Sequence, residues 1–241
     1  MINMINKLIE KLDEIQQKID YFFNNKYLLI QAFLHDSVFV NPVELEIDNK
    51  KIILNNNQRL EFLGDSLLNY IVSEYAYMKY PSFSEDSLSS YKTLIVNYFT
   101  LYKVCDYLKL QEYLIFNYES LGKNSPNIKT YADIIEAIIA VIYLDSGNIE
   151  EPKKFFRKTI LKVFEEKMEE IVENVFDWKG FLQSFLQKKG MDKPKYLTIE
   201  KNSEGFLVVA YYNNVEISSG FGKTKKEAEK QAALSFLRKI F

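Results

Sequence analysis

Two pairs of carboxylates stand in segments too apolar to leave them comfortably in water. Glu61 and Asp65 fall four residues apart within the apolar stretch from Leu60 to Tyr77, so one side of a helix would carry both. Asp133 and Glu136 fall three apart within Ala132-Asp133-Ile134-Ile135-Glu136-Ala137-Ile138-Ile139, with the same consequence. An unpaired buried carboxylate is costly, and four gathered together repel unless they are protonated or bridged by cations. A divalent ion removes both penalties. Oxygen-only ligands, with no matching His or Cys, favour a hard ion over zinc: Mg²⁺, with Mn²⁺ as a substitute. The chemistry that follows is phosphodiester hydrolysis, in which metal ions lower the pKa of an attacking water and stabilise the leaving oxygen. The competing reading pairs each acid with a Lys or Arg at a helix surface, for instance Glu61 with Arg59. Spacing alone leaves the two readings open.

The elements that must hold these acids are helices. Residues 1–175 carry apolar positions every three or four residues and only three glycines, Gly64, Gly122 and Gly147, which predicts an all-α domain. A charged helix from Glu151 to Val175 is expected to close it, with a linker near Asn174 to Asp177. The period then changes. A helix from Asp177 to Lys189, with Gly190 as its C-cap, precedes three β-branched or aromatic runs: Lys195 to Glu200, Gly205 to Tyr212 and Val215 to Ser219. Asn213-Asn214 suits a tight hairpin. A last helix from about Lys225 to Ile240 completes an α-β-β-β-α order, an α+β domain. The domains are thus 1–174 and 175–241, and Asn55 to Asn57 is a loop.

The charge divides at the same place. The net −2 of the 241 residues hides a basic tail, since residues 177–241 hold 12 Lys and Arg against 7 Asp and Glu, which leaves 19 against 26 for residues 1–176. A basic module follows an acidic one, and the basic one suits a polyanion. With 47% apolar and 27% charged residues the chain can bury a core. No apolar run approaches the roughly 18 residues of a membrane span, and no leader is visible. The lone Cys105, in apolar surroundings, suits a buried thiol in a reducing cytoplasm.

Gln58-Arg59-Leu60-Glu61-Phe62-Leu63-Gly64-Asp65-Ser66-Leu67-Leu68 closely resembles the signature stretch of ribonuclease III. Other landmarks follow in the family's order: Phe33-Leu34-His35-Asp36-Ser37, Pro81 to Glu85, Leu94-Ile95-Val96-Asn97, Ala132 to Ala137 and Tyr143-Leu144-Asp145. The resemblance spans nearly the whole chain. It implies that Glu61, Asp65, Asp133 and Glu136 form the metal-binding cluster, with Asp65 and Glu136 catalytic and Glu85 an accessory acid. It implies cleavage of double-stranded RNA in ribosomal, messenger and small-RNA precursors. It also implies a homodimer through the catalytic domain, with the signature helix facing its copy, two sites and both strands cut, and no small-molecule cofactor. Gly64 then marks close packing with another helix. Two departures stand out. Gln58 replaces the family's usual Glu, which weakens any second-metal or backbone-positioning role there. Lys129-Thr130-Tyr131 replaces a Ser-Ile-Leu run before Asp133 and reads as repacking. His35, without a second ligand, reads as structural beside Ser37.

The last helix opens Gly222-Lys223-Thr224-Lys225-Lys226-Glu227-Ala228-Glu229, where Thr224 and Glu227 have capping-box spacing. Cations at a helix N-terminus oppose its dipole. A phosphate there reverses the sign, so Lys223, Thr224, Lys225 and Lys226 are expected RNA contacts. Lys225 through Ala233 resembles the double-stranded-RNA-binding motif, with Ala228, Ala232 and Ala233 as a small face for close packing. The resemblance adds Gln183 and Gln187 of the preceding helix as minor-groove contacts. The loop Asn202 to Gly205 lacks the Pro-His pair often found there, so one minor-groove contact is expected to be missing.

Two other functions compete. A catalytically weak RNA-binding structural or regulatory protein would have lost its acids, and all four remain. A metal-dependent phosphohydrolase of small nucleotides leaves the basic C-terminal module unexplained.

Overall fold

The structure is a computed structural model describing residues 2–38, 41–47, 50–117, 126–175, 178–188 and 192–237. The chain divides into two compact units, Met1–Asn174 and Val175–Phe241. In the first, Ile5, Leu8, Leu12, Ile15 and Ile19 are all buried, so α1 (Ile2–Glu10) and α2 (Leu12–Ile19) turn one apolar stripe inward. α3 (Lys26–Ala32) follows, capped by the Asn25 side chain, which accepts from the Tyr27 N–H at 3.2 Å.

A short antiparallel hairpin comes next, β1 (Val43–Ile47) and β2 (Lys50–Leu54), in register Val43↔Leu54. This hairpin adds to the helical architecture expected from the sequence. Val43 and Leu45 are half-buried while Glu44 and Glu46 are exposed, a period of two that a helical pattern does not produce.

α4 (Gln58–Lys79) buries Leu60, Gly64, Leu68, Ile71, Val72 and Ala76 along one stripe. α5 (Glu85–Val96) and α6 (Tyr98–Tyr107) meet at Asn97, whose side chain caps α6 by accepting from the Phe99 N–H at 2.9 Å. α7 (Ile128–Ser146) is buried on nearly every side, with Ala132, Ile134, Ile135 and each residue from Ala137 to Ile142 in the core. Asn127 caps its start, accepting from Lys129 and Thr130 N–H at 2.9 and 3.1 Å. Gly147, left-handed at φ 66°, ends it. α7 packs against both α4 and α6, and Asp145 near its end accepts from the Tyr21 hydroxyl and the Asn24 and Asn25 N–H groups at 2.8–2.9 Å. The N-terminal helices are thereby tied to the central one.

The charged segment expected as one helix is several: α8 (Glu150–Phe155), a π-helical turn (Phe156–Leu161), α9 (Lys162–Glu166) and α10 (Met168–Val175). Lys167 breaks it, leaving helical geometry at φ −112°, ψ 15°. Cys105 is buried, and burial pushes its thiol up to about 12, as suits an unreactive core group.

The second unit holds α11 (Trp178–Lys188), the strands β3 (Lys195–Lys201), β4 (Phe206–Tyr212) and β5 (Val215–Gly222), and α12 (Lys225–Leu237). The strands form an antiparallel meander in the order β3-β4-β5. Asn213 and Asn214, at φ 48° and 63°, make the two-residue turn between β4 and β5. α12 lies close on β5: a Cβ at Gly220 would strike its backbone at Ala228 and Ala232, and Ala228, Ala232 and Ala233 are all buried. Gly190, residues 176 and 177 of the expected linker, and the end of the last helix from residue 238 lie outside the described residues. Among the described residues no helix is long and apolar enough to cross a membrane.

Candidate active site

α4 and α7 cross where α4 has no side chain. A Cβ on Gly64 would overlap the carbonyl of Glu136, so only glycine allows this approach. Gly64 therefore packs as the sequence suggests, against a helix of its own chain. Glu61 and Asp65 flank it one turn apart on α4, while Asp133 and Glu136 face them from α7.

Glu61, Asp133 and Glu136 are half-buried, and each can place a carboxylate oxygen within 4.8 Å of the others. Asp65 is exposed, contrary to the expectation that solvent would hardly reach it. It sits on the open side of the same cavity, and its Oδ1 accepts from Asn69 Nδ2 at 2.8 Å. The cavity has a volume of 510 Å³ and is also lined by Gln58, Tyr98 and Lys129. Among the described residues no ion pair joins Glu61 to Arg59, which lines a different hollow. The surface-pairing reading of that acid fails for want of a partner.

The electrostatics follow from this crowding. Burial first, then the charge of Glu61, pushes Asp133 up to about 6. Burial, followed by Asp65, Asp133 and Glu61, pushes Glu136 up to about 8, and Lys129 opposes both shifts. Carboxylates so disfavoured as anions are either protonated or balanced by a counter-charge, and an all-oxygen donor set fits a hard divalent cation.

The remaining expected residues fall in several places. Gln58 donates from Nε2 to Asp36 Oδ2 at 2.9 Å, at the edge of the acidic cavity. Glu85, exposed at the start of α5, accepts from Ser89 Oγ at 3.2 Å and lines another hollow with Tyr70, Tyr77 and Lys92. Within one copy of the chain it is not brought to the cluster. His35 Nδ1 lies 2.8 Å from Ser37 Oγ, which accepts from the Asn117 N–H at 3.0 Å, a structural arrangement. The stretch before Asp133 is only partly repacking. Thr130 is buried and Tyr131 lies against the Tyr102 ring, but Lys129 is exposed and lines the cavity.

In the second unit Lys223, Lys225 and Lys226 are exposed around the start of α12. The Glu227 N–H donates to Thr224 Oγ1 at 3.2 Å, the first half of the expected capping box, while the Glu227 carboxylate reaches one residue further back and accepts from the Lys223 N–H at 2.9 Å. On α11, Leu182 and Leu186 are buried, Gln183 is half-buried and Gln187 exposed. The Asn202 side chain folds its loop by accepting from Glu204 and Gly205 N–H at 2.9 and 3.1 Å.

The family described as Ribonuclease-III-like matches residues 25–164, more than half of the chain and the whole acidic cavity. The chain belongs to the ribonuclease III family. The double-stranded RNA binding motif matches residues 178–240. Ribonuclease 3 of Clostridium acetobutylicum is 35% identical over 234 residues, covering 94% of this chain and 96% of that protein. Ribonuclease 3 of a Geobacillus species is 34% identical, covering 95% and 91%. Among solved structures, the nuclease domain of ribonuclease III from Campylobacter jejuni aligns at a TM-score of 0.52 and 30% identity, over 64% of this chain and 98% of that one. The protein is a ribonuclease III enzyme, an endoribonuclease for double-stranded RNA with a helical nuclease domain and a C-terminal α+β RNA-binding domain.

Proposed function

We propose that the cavity between α4 and α7 is the catalytic centre, with Glu61, Asp65, Asp133 and Glu136 holding Mg²⁺, or Mn²⁺ in its place. The observation that carries this reading is the convergence of Glu61, Asp133 and Glu136 within 4.8 Å at a site with no compensating ion pair among the described residues. When bound, the metal supplies a water of lowered pKa and a counter-charge for the leaving oxygen. The chain's own groups do the rest. Gly64 lets the two acidic helices meet, and Asn69 fixes the Asp65 rotamer through its 2.8 Å hydrogen bond. The half-buried pair on α7 offers carboxylates with few other partners. In the net reaction water adds to phosphorus, one P–O ester bond breaks, and the departing oxygen takes a proton, leaving a hydroxyl end and a phosphomonoester.

Residues 1–174 are proposed as the catalytic domain and 175–241 as the RNA-binding domain. In the latter Lys223, Lys225 and Lys226 meet phosphates, Thr224 orders the helix start, and Gln183 and Gln187 reach ribose hydroxyls. A homodimer through α4 is supported by its exposed apolar side chains, of which Phe62 is 77% and Met78 74% accessible. The Campylobacter jejuni nuclease domain has a region involved in dimer formation. The physiological reading is processing of ribosomal, messenger and small-RNA precursors in the cytoplasm.

The test is long double-stranded RNA incubated with the full chain in Mg²⁺ or chelator, beside single-stranded RNA and duplex DNA. Short duplex products only from double-stranded RNA and only with metal are expected. Duplex retained but uncut in both Mg²⁺ and Mn²⁺ would replace this reading with that of a binding protein.

A further inference from the structure

Asp36 lies in the turn that follows α3, outside both helices that carry the cavity acids. Two contacts pin that turn to the start of α4. The Asn57 N–H donates to the Leu34 carbonyl at 2.8 Å, and Gln58 Nε2 donates to Asp36 Oδ2 at 2.9 Å. Two more anchor it on the other side, where the His35 N–H donates to the Ile115 carbonyl at 3.0 Å and the Asn117 N–H to Ser37 Oγ at 3.0 Å. The carboxylate is thereby fixed beside Gln58, which itself lines the acidic cavity. Its field reaches the acids there, since the charge of Asp36 is among the causes that push Asp133 up. No Lys or Arg among the described residues pairs with Asp36; its Oδ1 lies 3.0 Å from His35 Nδ1. An amide such as Gln58 donates to a carboxylate and leaves its charge intact, where a Lys or Arg would cancel it. An extra anion held toward a cluster of anions adds repulsion in the metal-free protein and becomes favourable once a cation enters.

We propose that Asp36 is a fifth carboxylate of the cavity, held at its rim by Gln58, and that its charge raises the affinity of the site for the divalent cation without touching it. This rests on the cavity being the metal site. Gln58 is then a positioning residue that acts through Asp36, and the turn after α3 belongs to the functional centre although neither acidic helix contains it. The alternative makes Asp36 a partner of His35 and Gln58 that only shapes the turn. The two differ in what salt does: a charge acting across several ångströms of partly solvated space is screened, whereas a direct ligand or a structural hydrogen bond is not.

The experiment compares the full-length wild-type chain with Asp36→Asn, Gln58→Leu and the double variant. Two quantities are read: Mn²⁺ affinity by calorimetry, and the Mg²⁺ midpoint of single-turnover cleavage of a double-stranded RNA. Asp36→Asn keeps the size and an acceptor oxygen and removes the charge. It is expected to weaken Mn²⁺ binding by about three- to tenfold at low salt and to raise the Mg²⁺ midpoint by a similar factor. The deficit should shrink to under about twofold as KCl rises from about 0.05 to about 0.5 M. Gln58→Leu should show a smaller deficit of the same kind, and the double variant should bind no more weakly than Asp36→Asn alone. Wild-type Mn²⁺ affinity in Asp36→Asn overturns the proposal, as does a deficit that salt leaves unchanged. Loss of fold by circular dichroism in both Asp36→Asn and Asp36→Ser would make the residue structural and overturn it too. Equal Mn²⁺ affinity in wild type and Glu136→Gln would instead defeat the assignment of the cavity as the metal site.

Discussion

Gly64 on α4 and Glu136 on α7 touch backbone to backbone, so closely that the glycine has no room for a methyl group. This approach sets the distance between the two acidic helices, and every carboxylate of the cavity depends on it.

Gly64→Ala must therefore push α4 off α7. A cost of about 1–3 kcal/mol in urea denaturation is expected, together with a fall in cleavage beyond what the folded fraction explains. A variant as stable and as active as wild type would mean that the helices separate without consequence.

Glu136→Gln should lower cleavage at least about a hundredfold while double-stranded RNA affinity in Ca²⁺ is kept. The same change removes a carboxylate that burial and three acidic neighbours disfavour. In chelator the variant should melt above wild type, and added Mg²⁺ should narrow or reverse the difference. Identical melting curves in chelator would show that the repulsion is relieved by other means.

Replacing Lys225 and Lys226 by Ala should weaken RNA binding and lower the slope of log affinity against log salt by about one for each phosphate that is no longer neutralised. Single-turnover cleavage at saturating RNA should be unchanged. An unaltered salt slope would remove these lysines from the interface.

Glu14 provides a pH dependence remote from the cavity. Its carboxylate accepts from the Tyr113 hydroxyl at 2.7 Å and pairs with Lys11 at 3.0 Å, and these interactions, the Tyr113 hydrogen bond first, hold it down from 4.5 to about 2. A depressed acid stabilises the fold above its unfolded pKa and loses that contribution as pH falls through the folded value. Glu14→Gln should thus melt below wild type at pH 6, with the gap closing between about pH 4.5 and 2. A gap constant over that range would exclude the linkage.

The pattern of residues was enough for the helical first domain, the α-β-β-β-α order of the second, and the candidate acids, because apolar period and carboxylates inside apolar runs are local properties of the chain. Asn213-Asn214, the Thr224-Glu227 cap and the small face at Ala228, Ala232 and Ala233 were legible for the same reason. The β1–β2 hairpin was not, since its alternation is brief and its stability lies in two segments meeting. The break at Lys167 was hidden by charges that suit a helix throughout.

Within the cavity the sequence determined which acids are available and that the linear stretch around Gly64 belongs to ribonuclease III. Only the tertiary structure decided that Glu61, Asp133 and Glu136 converge while Asp65 stays open to solvent and Glu85 lies elsewhere in the same copy. It alone turned Lys129 from apparent repacking into a cation lining the cavity. The reason is geometric: spacing along a helix fixes a face, but which faces meet, and how closely, is set by packing between helices far apart in the chain.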